Sequence, residues 1–587
     1  MRLPSLLFYA AIFLSTELSA QVVFPQNLFT PPLFLPFNLA GNFGELRSNH
    51  FHSGIDIKTN GQEGQVVMAS ADGYISRIKV SAVGFGKAIY INHPDGYTTV
   101  YGHLQRFNDT IQSYVEAEQY KKESFEVDLF PDSNMFPVRQ GQFIALSGNT
   151  GSSEGPHLHF EIRDKVSEHP FNPLLFGFHS DDTIAPVIKN IKVYQLHETK
   201  PRLINDTSLT IAVSDSSNLF SLKQDTVYVF EKTAFSVETS DKMNDTTSNL
   251  VVNKIELLLD EKTIYTWHFD EFSFDESRFV NANIDYAEKV NNKKKYILLH
   301  RLPGNNFSMF KKDSTMTGII DIKDSRFHDV EIRVTDLNGN GVIKKVVVKK
   351  MENRRWKMHD GKWKMEVGSW KPVKKKKVPA GYFISWEKTP VITKPDIKVS
   401  FAEHVVYDIA PFEIVKEKKL KGTYAALFSV GEETIPIHSF MNLSLKPVNL
   451  PDSLSAKALI VSVDKKENKY AEESSYAKGW VTGKIRHFGR FTIAVDTLAP
   501  EITEPQIYTD SISGRRIIFT VISDNLSGIK TYRATLNEKW FLMDYDEKTG
   551  RLSCELKNAT EGNKSELVIE VTDRKENKTV LKTSIDF

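Results

Sequence analysis

Four histidines and an aspartate in the first 165 residues are spaced for chemistry. The run "GPHLHFEI" (155–162) sets His157 and His159 on either side of one leucine. In an extended strand side chains alternate faces, so both imidazoles point one way while Leu158 and Phe160 point the other. Imidazole is the commonest transition-metal ligand and a proton shuttle near neutral pH. An alternating pair also occurs as plain polar residues on the wet face of a sheet, so other residues must decide. Upstream, "HFHSGIDIKTNG" (50–61) spaces His52 and Asp56 as H-x-x-x-D, with Gly54 permitting a tight bend between them. A histidine, a carboxylate and a second histidine from a distant strand form a three-ligand set with one open position, as in catalytic zinc sites. Structural zinc is usually closed by four ligands including cysteine, and Cys554 is the sole cysteine here. Between the two stretches, "TTVYGHL" (98–104) sets His103 at the end of a β-branched strand. Further histidines suit the handling of the proton and the oxyanion beside such a metal.

The elements that carry these residues read as strands. From residue 21 to about 180 the chain alternates short β-branched runs with turn residues, including Asp72-Gly73 and Asp95-Gly96, as expected of an all-β unit. "GQVVMAS" (from Gly64) and "GQFIALS" (from Gly141) are a duplicated strand motif. One stretch breaks the pattern. Residues 109–126 start with a capping pair, Asp109/Thr110, and contain few turn formers, which predicts a short helix, either a wall beside the site or a surface insertion.

These motifs resemble the lysostaphin-type (LytM-like) zinc metallopeptidases, which hydrolyse peptide bonds in peptidoglycan. "HSGIDI", "YGHL" and "GNTGSSEGPHLHFEI" occur in the family's order over about residues 40–165. The resemblance implies that His52, Asp56 and His159 bind one zinc ion, with His103 and His157 as the non-ligand histidines flanking the activated water. It also implies a duplicated β-fold with a substrate groove and peptidoglycan peptide cross-links as substrate. Two features depart from the family's pattern. An insertion at about 108–136 lengthens the segment after "YGHL", which leaves groove shape and bond preference open. His50 creates a second H-x-H; only His52 has the right spacing to Asp56, so His50 is read as a rim residue. Three other readings compete: an inactive envelope-binding activator of other wall hydrolases, a metalloprotease acting on proteins, and a cytosolic sugar-phosphotransferase carrier. The five key positions are all present against the first. The leader and Asp56 count against the last.

Beyond residue 180, "DTIAPVI" (182–188) recurs as "DTLAPEI" (496–502). "IAVSDSSNLF" (211–220) is matched by "FTVISDNLSG" (519–528), and "IRVTDLNGN" (332–340) by "IEVTDRKEN" (569–577). Two related immunoglobulin-like β-sandwiches are expected. Between them lies a β-rich stretch with Trp356, Trp363 and Trp370, a hairpin signal at Asp360-Gly361 and the lysine run 374–377. The chain thus divides into a signal peptide (1–20), the peptidase-like unit (21–180), a sandwich (181–350), a β-rich middle region (351–495) and a second sandwich (496–587). The leader reading rests on Arg2, the apolar run Leu6–Leu14 and a small residue at Ala20, and places the protein in the periplasm or outside the cell. No later run is long and apolar enough to span a bilayer. A net charge of +1 gives no field to attract nucleic acid. Envelope partners are expected for the sandwiches. With one thiol there is no internal disulfide, and Cys554 is expected to be a small buried strand residue.

Overall fold

The computed structural model describes residues 23–178, 182–196, 208–212, 226–229, 232–244, 246–311, 315–350, 356–359, 362–365, 382–510, 514–556 and 564–586. The leader, Trp370, the lysine run 374–377 and most of 211–220 lie outside these residues.

In the first unit the strands are β1 (Leu39–Gly41), β2 (Ile55–Lys58), β3 (Val66–Met68), β4 (Gly73–Val80), β5 (Lys87–Asn92) and β6 (Tyr97–Phe107). Helix α1 (Asp109–Lys122) follows, then β7 (Val127–Leu129), β8 (Pro137–Val138), β9 (Phe143–Ser147), β10 (His157–Asp164) and β11 (Pro170–Phe171). They form one sheet in the order β1-β2-β10-β6-β5-β4-β7, with β3 on β9 and β9 on β6. The sequence motifs meet because β10 lies between β2 and β6. His159 stands opposite Asp56 on one side and Gly102 on the other. The inner face of β10 is apolar, with Leu158, Phe160 and Ile162 fully buried beside Ile55, Ile57 and Tyr101. Each such side chain contributes about 1.5–3 kcal/mol by leaving water, so the register cannot slip without exposing the whole set. The two copies of the duplicated motif pair with each other: β3 runs antiparallel to β9, Val66 opposite Leu146 and Val67 opposite Ala145.

The expected helix is present but shorter at its C-terminal end. Asn108, not Asp109 or Thr110, caps it by accepting from the Ile111 N–H, and Glu123 ends it in a left-handed conformation (φ 45°). Ile111 and Val115 bury into the sheet core.

Three further β modules follow, each with two sheets around its own apolar cluster. The first combines a sheet on Val187–Gln195 and Lys232–Ser240 with one on Lys254–Leu259, Phe327–Thr335 and Gly341–Lys350. The next runs from Ile392–Thr393 to Gly489–Val495, and the last from Glu501–Ile502 to Lys578–Asp586. In the middle stretch, Trp356–His359 pairs antiparallel with Lys362–Met365 around the expected hairpin position. Cys554 is half-buried on its strand rather than fully enclosed. The repeat of 519–528 also changes partner. The strand ending at Ser523 pairs with Glu501, and its counterpart in the earlier module is the strand ending at Ser240, which pairs with Val187. Asp241, not a residue of 211–220, is therefore the positional match of Asp524.

The modules are not strung on free linkers. Phe43, Leu46 and Phe51 of the peptidase-like unit are buried in the apolar cluster of the first of these modules, where Phe51 stacks on Phe307 at 5.1 Å. The last module folds back onto the first unit. Tyr120 of α1 meets Trp540 edge-on at 5.0 Å, Arg533 pairs with Glu123 at 2.6 Å, and Lys87 pairs with Asp544 at 2.5 Å. Among the described residues, no helix is long and apolar enough to cross a membrane.

Candidate active site

His52, Asp56 and His159 converge at the meeting of β2, β10 and the loop before β2. His52 Nε2 and His159 Nδ1 are 3.1 Å apart, and Asp56 Oδ1 lies 3.1 Å from the first and 2.9 Å from the second. All three residues are buried. Gly54 makes this possible in a way the sequence did not show. A Cβ there would lie 2.3 Å from the Phe160 carbonyl oxygen, so a side chain would push the loop off β10.

The outward nitrogen of each ligand-type histidine is already committed. His52 Nδ1 lies 2.8 Å from the Asn42 carbonyl, which can only accept, so the ring N–H is there and Nε2 faces the cluster as a lone pair. His159 Nε2 lies 2.9 Å from Glu161 Oε1. Despite complete burial, Arg163 and His159 hold Glu161 at about 2, so it is a carboxylate and takes the Nε2 proton. Arg163 Nε donates to Glu161 Oε2 at 2.6 Å, and Ser53 Oγ donates to Oε1. On the far side of Asp56, Arg47 pairs with Oδ2 and leaves Oδ1 to the cluster. Burial opposes ionisation of Asp56, but the histidines gathered around it hold it well below the usual carboxylate range.

Three inward donor atoms, two of them on histidines whose protons point outward, fit a cation. A tetrahedral zinc at ~2.0–2.1 Å spaces its ligand atoms about 3.3 Å apart, slightly wider than seen here. In the metal-free chain, burial lowers His159 while Asp56 and Glu161 outweigh it and lift the ring to about 9. A proton then occupies the place a metal would take, so metal affinity falls as the pH drops.

His103 and His157 flank the cluster. His157 Nδ1 donates to the Gly155 carbonyl at 2.8 Å, leaving Nε2 buried, 3.4 Å from Asp56 Oδ1 and without a hydrogen-bond partner. His103 Nδ1 donates to the Thr150 carbonyl at 2.8 Å, and its ring stands 4.8 Å from that of His157. Burial, then the neighbouring His159 and His157, pushes His103 down to about 3, so it is neutral at physiological pH. It also sits at φ 59°, a backbone conformation uncommon outside glycine and often found at functional sites. The loop holding Thr150 is fixed by two glycines packed face to face. A Cβ on Gly86 would meet Gly151 N at 2.6 Å, and one on Gly151 would meet Gly86 N at 2.3 Å. His50 is exposed, with Nδ1 2.9 Å from the Ser48 carbonyl, and stands outside the cluster.

Sequence reading singled out neither Glu161, Arg163, Arg47 nor Asn42. The signal for the first two was present: His157, His159, Glu161 and Arg163 alternate on one face of β10. Arg47 and Asn42 act through loop geometry that spacing does not encode.

Residues 50–120 and 134–173 match Peptidase family M23, and residues 381–496 match a Zu5-like domain. The first region is similar to an uncharacterized metalloprotease of Haemophilus influenzae, 35% identical over 21% of this chain and 20% of the relative. It is similar to the DD-carboxypeptidase/endopeptidase Mpg of Neisseria meningitidis serogroup B, 34% identical over 22% of this chain and 23% of the relative. It is also similar to the murein hydrolase activator NlpD of Salmonella dublin, 35% identical over 23% of this chain and 28% of the relative. The chain spans 20–28% of the length of these relatives. The paired histidine motifs, their place on one β-sheet and these matches agree in likening the unit around His52, Asp56 and His159 to peptidase family M23.

Proposed function

We propose that this protein is an exported zinc-dependent endopeptidase that hydrolyses peptide cross-links of peptidoglycan. His52, Asp56 and His159 would hold the metal, and His103 and His157 would act beside it. The observation that carries this reading is the convergence of three buried donor atoms within 3.1 Å of one another, each histidine's N–H being directed outward. When bound, zinc supplies Lewis acidity, which makes water nucleophilic near neutral pH. His103 and His157 each keep Nδ1 on a carbonyl, so in the neutral state each Nε2 is a proton acceptor. A proton taken there can pass to the leaving amine, while the protonated ring stabilises developing negative charge. The five-part division of the chain, with immunoglobulin-like modules that position the peptidase unit or bind envelope partners, belongs to the same proposal.

The test uses the full-length, zinc-loaded chain on purified peptidoglycan, with fragments identified by mass spectrometry. Cross-linked dimers should fall as monomers rise. Intact cross-links beside cleaved protein substrates would replace this reading with a general metalloprotease. The likeness to an activator of murein hydrolases favours a second reading, non-catalytic activation. That reading gains if the chain alone leaves peptidoglycan intact but speeds a second hydrolase added to it.

A further inference from the structure

The last module holds a cluster that the peptidase reading does not use. Asp496, Asp524 and Asp573 each offer an oxygen within 4.8 Å of the others. Asp496 is 1% exposed and Asp573 fully buried. Their hydrogen bonds come from the surrounding backbone and one amide. Ser527 N donates to Asp496 Oδ2, Leu526 N and Gly528 N donate to Asp524 Oδ2, and Lys575 N and Asn577 N donate to Asp573 Oδ1. Asn577 Nδ2 donates to Asp573 Oδ2. Two oxygens are left over: Asp496 Oδ1 and Asp524 Oδ1 are buried with no donor, as is the hydroxyl of Ser527. Among the described residues no lysine or arginine forms an ion pair with any of the three carboxylates. Lys575 lies nearby, but its Nζ donates to the carbonyls of Ala458 and Ser474. Lys575 brings a positive charge near Asp496 and Asp573, but none of its hydrogen bonds reaches the two unpartnered oxygens. A buried carboxylate oxygen without a partner is strongly unfavourable, so Asp496 Oδ1 and Asp524 Oδ1 call for a cation in direct contact.

We propose that Asp496, Asp524 and Asp573 form a binding site for a hard divalent cation, calcium, at the junction between the Zu5-like domain and the last module. The donor atoms of the cluster are all oxygen, most of them anionic, which suits calcium and gives zinc no nitrogen or sulfur ligand. The arrangement is built twice. Asp182, Asp241 and Asp336 form a second close group. Asp182 precedes Val187 by as many positions as Asp496 precedes Glu501, and Asp241 and Asp524 follow the strand residues paired with those two. Asn340 holds Asp336 and the Asp182 carbonyl just as Asn577 holds Asp573 and the Asp496 carbonyl. The location gives the ion a task. Asp496 ends the Zu5-like match, and the 573–577 turn contacts that domain through Lys575, so the ion would lock the angle at which the last module reaches back to α1.

The experiment strips the full-length protein with chelator and saturates it with zinc, so that the histidine site is filled. It is then dialysed against calcium chloride for elemental analysis and thermal melting. The wild type should retain calcium and melt at a higher temperature with it. The double variant Asp496→Asn/Asp573→Asn should bind one equivalent fewer and show a smaller shift. Asp524→Asn, on a half-buried turn, serves if the double variant fails to fold; it should weaken calcium binding at least tenfold with an unchanged circular dichroism spectrum. No calcium retained by the wild type overturns the proposal, as does an unchanged affinity in Asp524→Asn. A wild type stabilised by acid and indifferent to calcium would mean that a shared proton fills the place of the cation.

Discussion

Glu161 and the Asn42 carbonyl do the same job at opposite edges of the metal cluster: each takes the outward N–H of one histidine. Glu161 adds a charge, and Arg163 balances it. Outer partners of this kind are typically worth 10- to 100-fold in metal affinity. Glu161→Gln should therefore bind zinc 10- to 100-fold more weakly in a competition titration with a chromophoric chelator, and an unchanged constant would remove Glu161 from the metal's support. His159→Ala should lose stoichiometric zinc altogether by elemental analysis. The flanking histidines should behave differently. His103→Ala and His157→Ala should keep zinc and the native circular dichroism spectrum while losing about two or more orders of magnitude of hydrolysis. Near-normal turnover in both would sink their proposed roles. At this scale the sequence was legible where proximity follows spacing, as with His52 and Asp56, which the structure brings together. It was silent where a backbone carbonyl or a guanidinium from an irregular loop completes the site, as with Asn42 and Arg47.

Among the elements, β10 was readable because its two faces differ so sharply: alternate residues are imidazole or charged on one side and apolar on the other. Helix α1 was readable because eighteen residues with few turn formers are conspicuous in a β unit; its cap was missed by one residue because Asn108 and Asp109 are both good caps. The contact between the module built on Val187–Lys350 and the Zu5-like domain was not readable, since it joins irregular segments. There His438 stacks on Phe279 at 4.7 Å, its Nδ1 lies 3.0 Å from the Tyr407 hydroxyl, and Arg278 donates to the Ile437 carbonyl. Burial, followed by Arg278, His404 and Arg486, lowers His438 to about 4. An unfolded histidine titrates near ~6.5, so folding favours the neutral ring. The stabilisation is complete above about 6.5 and is lost as the pH falls from there toward 4. Denaturant midpoints at pH 7.5 and 5 should therefore diverge more in wild type than in His438→Gln. Equal divergence would show that other groups carry the acid sensitivity.

Across the whole molecule, the least legible feature is the return of the last module to the first unit. No local pattern announces it, because the contact is made by side chains that look like ordinary surface residues in either module alone. Its reach extends to the candidate active site: Lys548 donates to the carbonyl of Asn149, the residue before the Thr150 that orients His103. Lys548→Ala and Trp540→Ala should leave zinc content unchanged and lower hydrolysis several-fold, with faster hydrogen exchange in α1. Unchanged exchange and activity would reduce the contact to passive packing. The partners in these contacts are separated by 399 to 457 residues. A ribosome releases the histidine motifs early and residues 533–548 almost last, so the peptidase unit must wait through most of synthesis with the His103 loop unbraced. A copy that stops short, or is cut at a linker, keeps its metal ligands and loses the brace. The candidate site is in this sense braced only in molecules that carry residues 533–548.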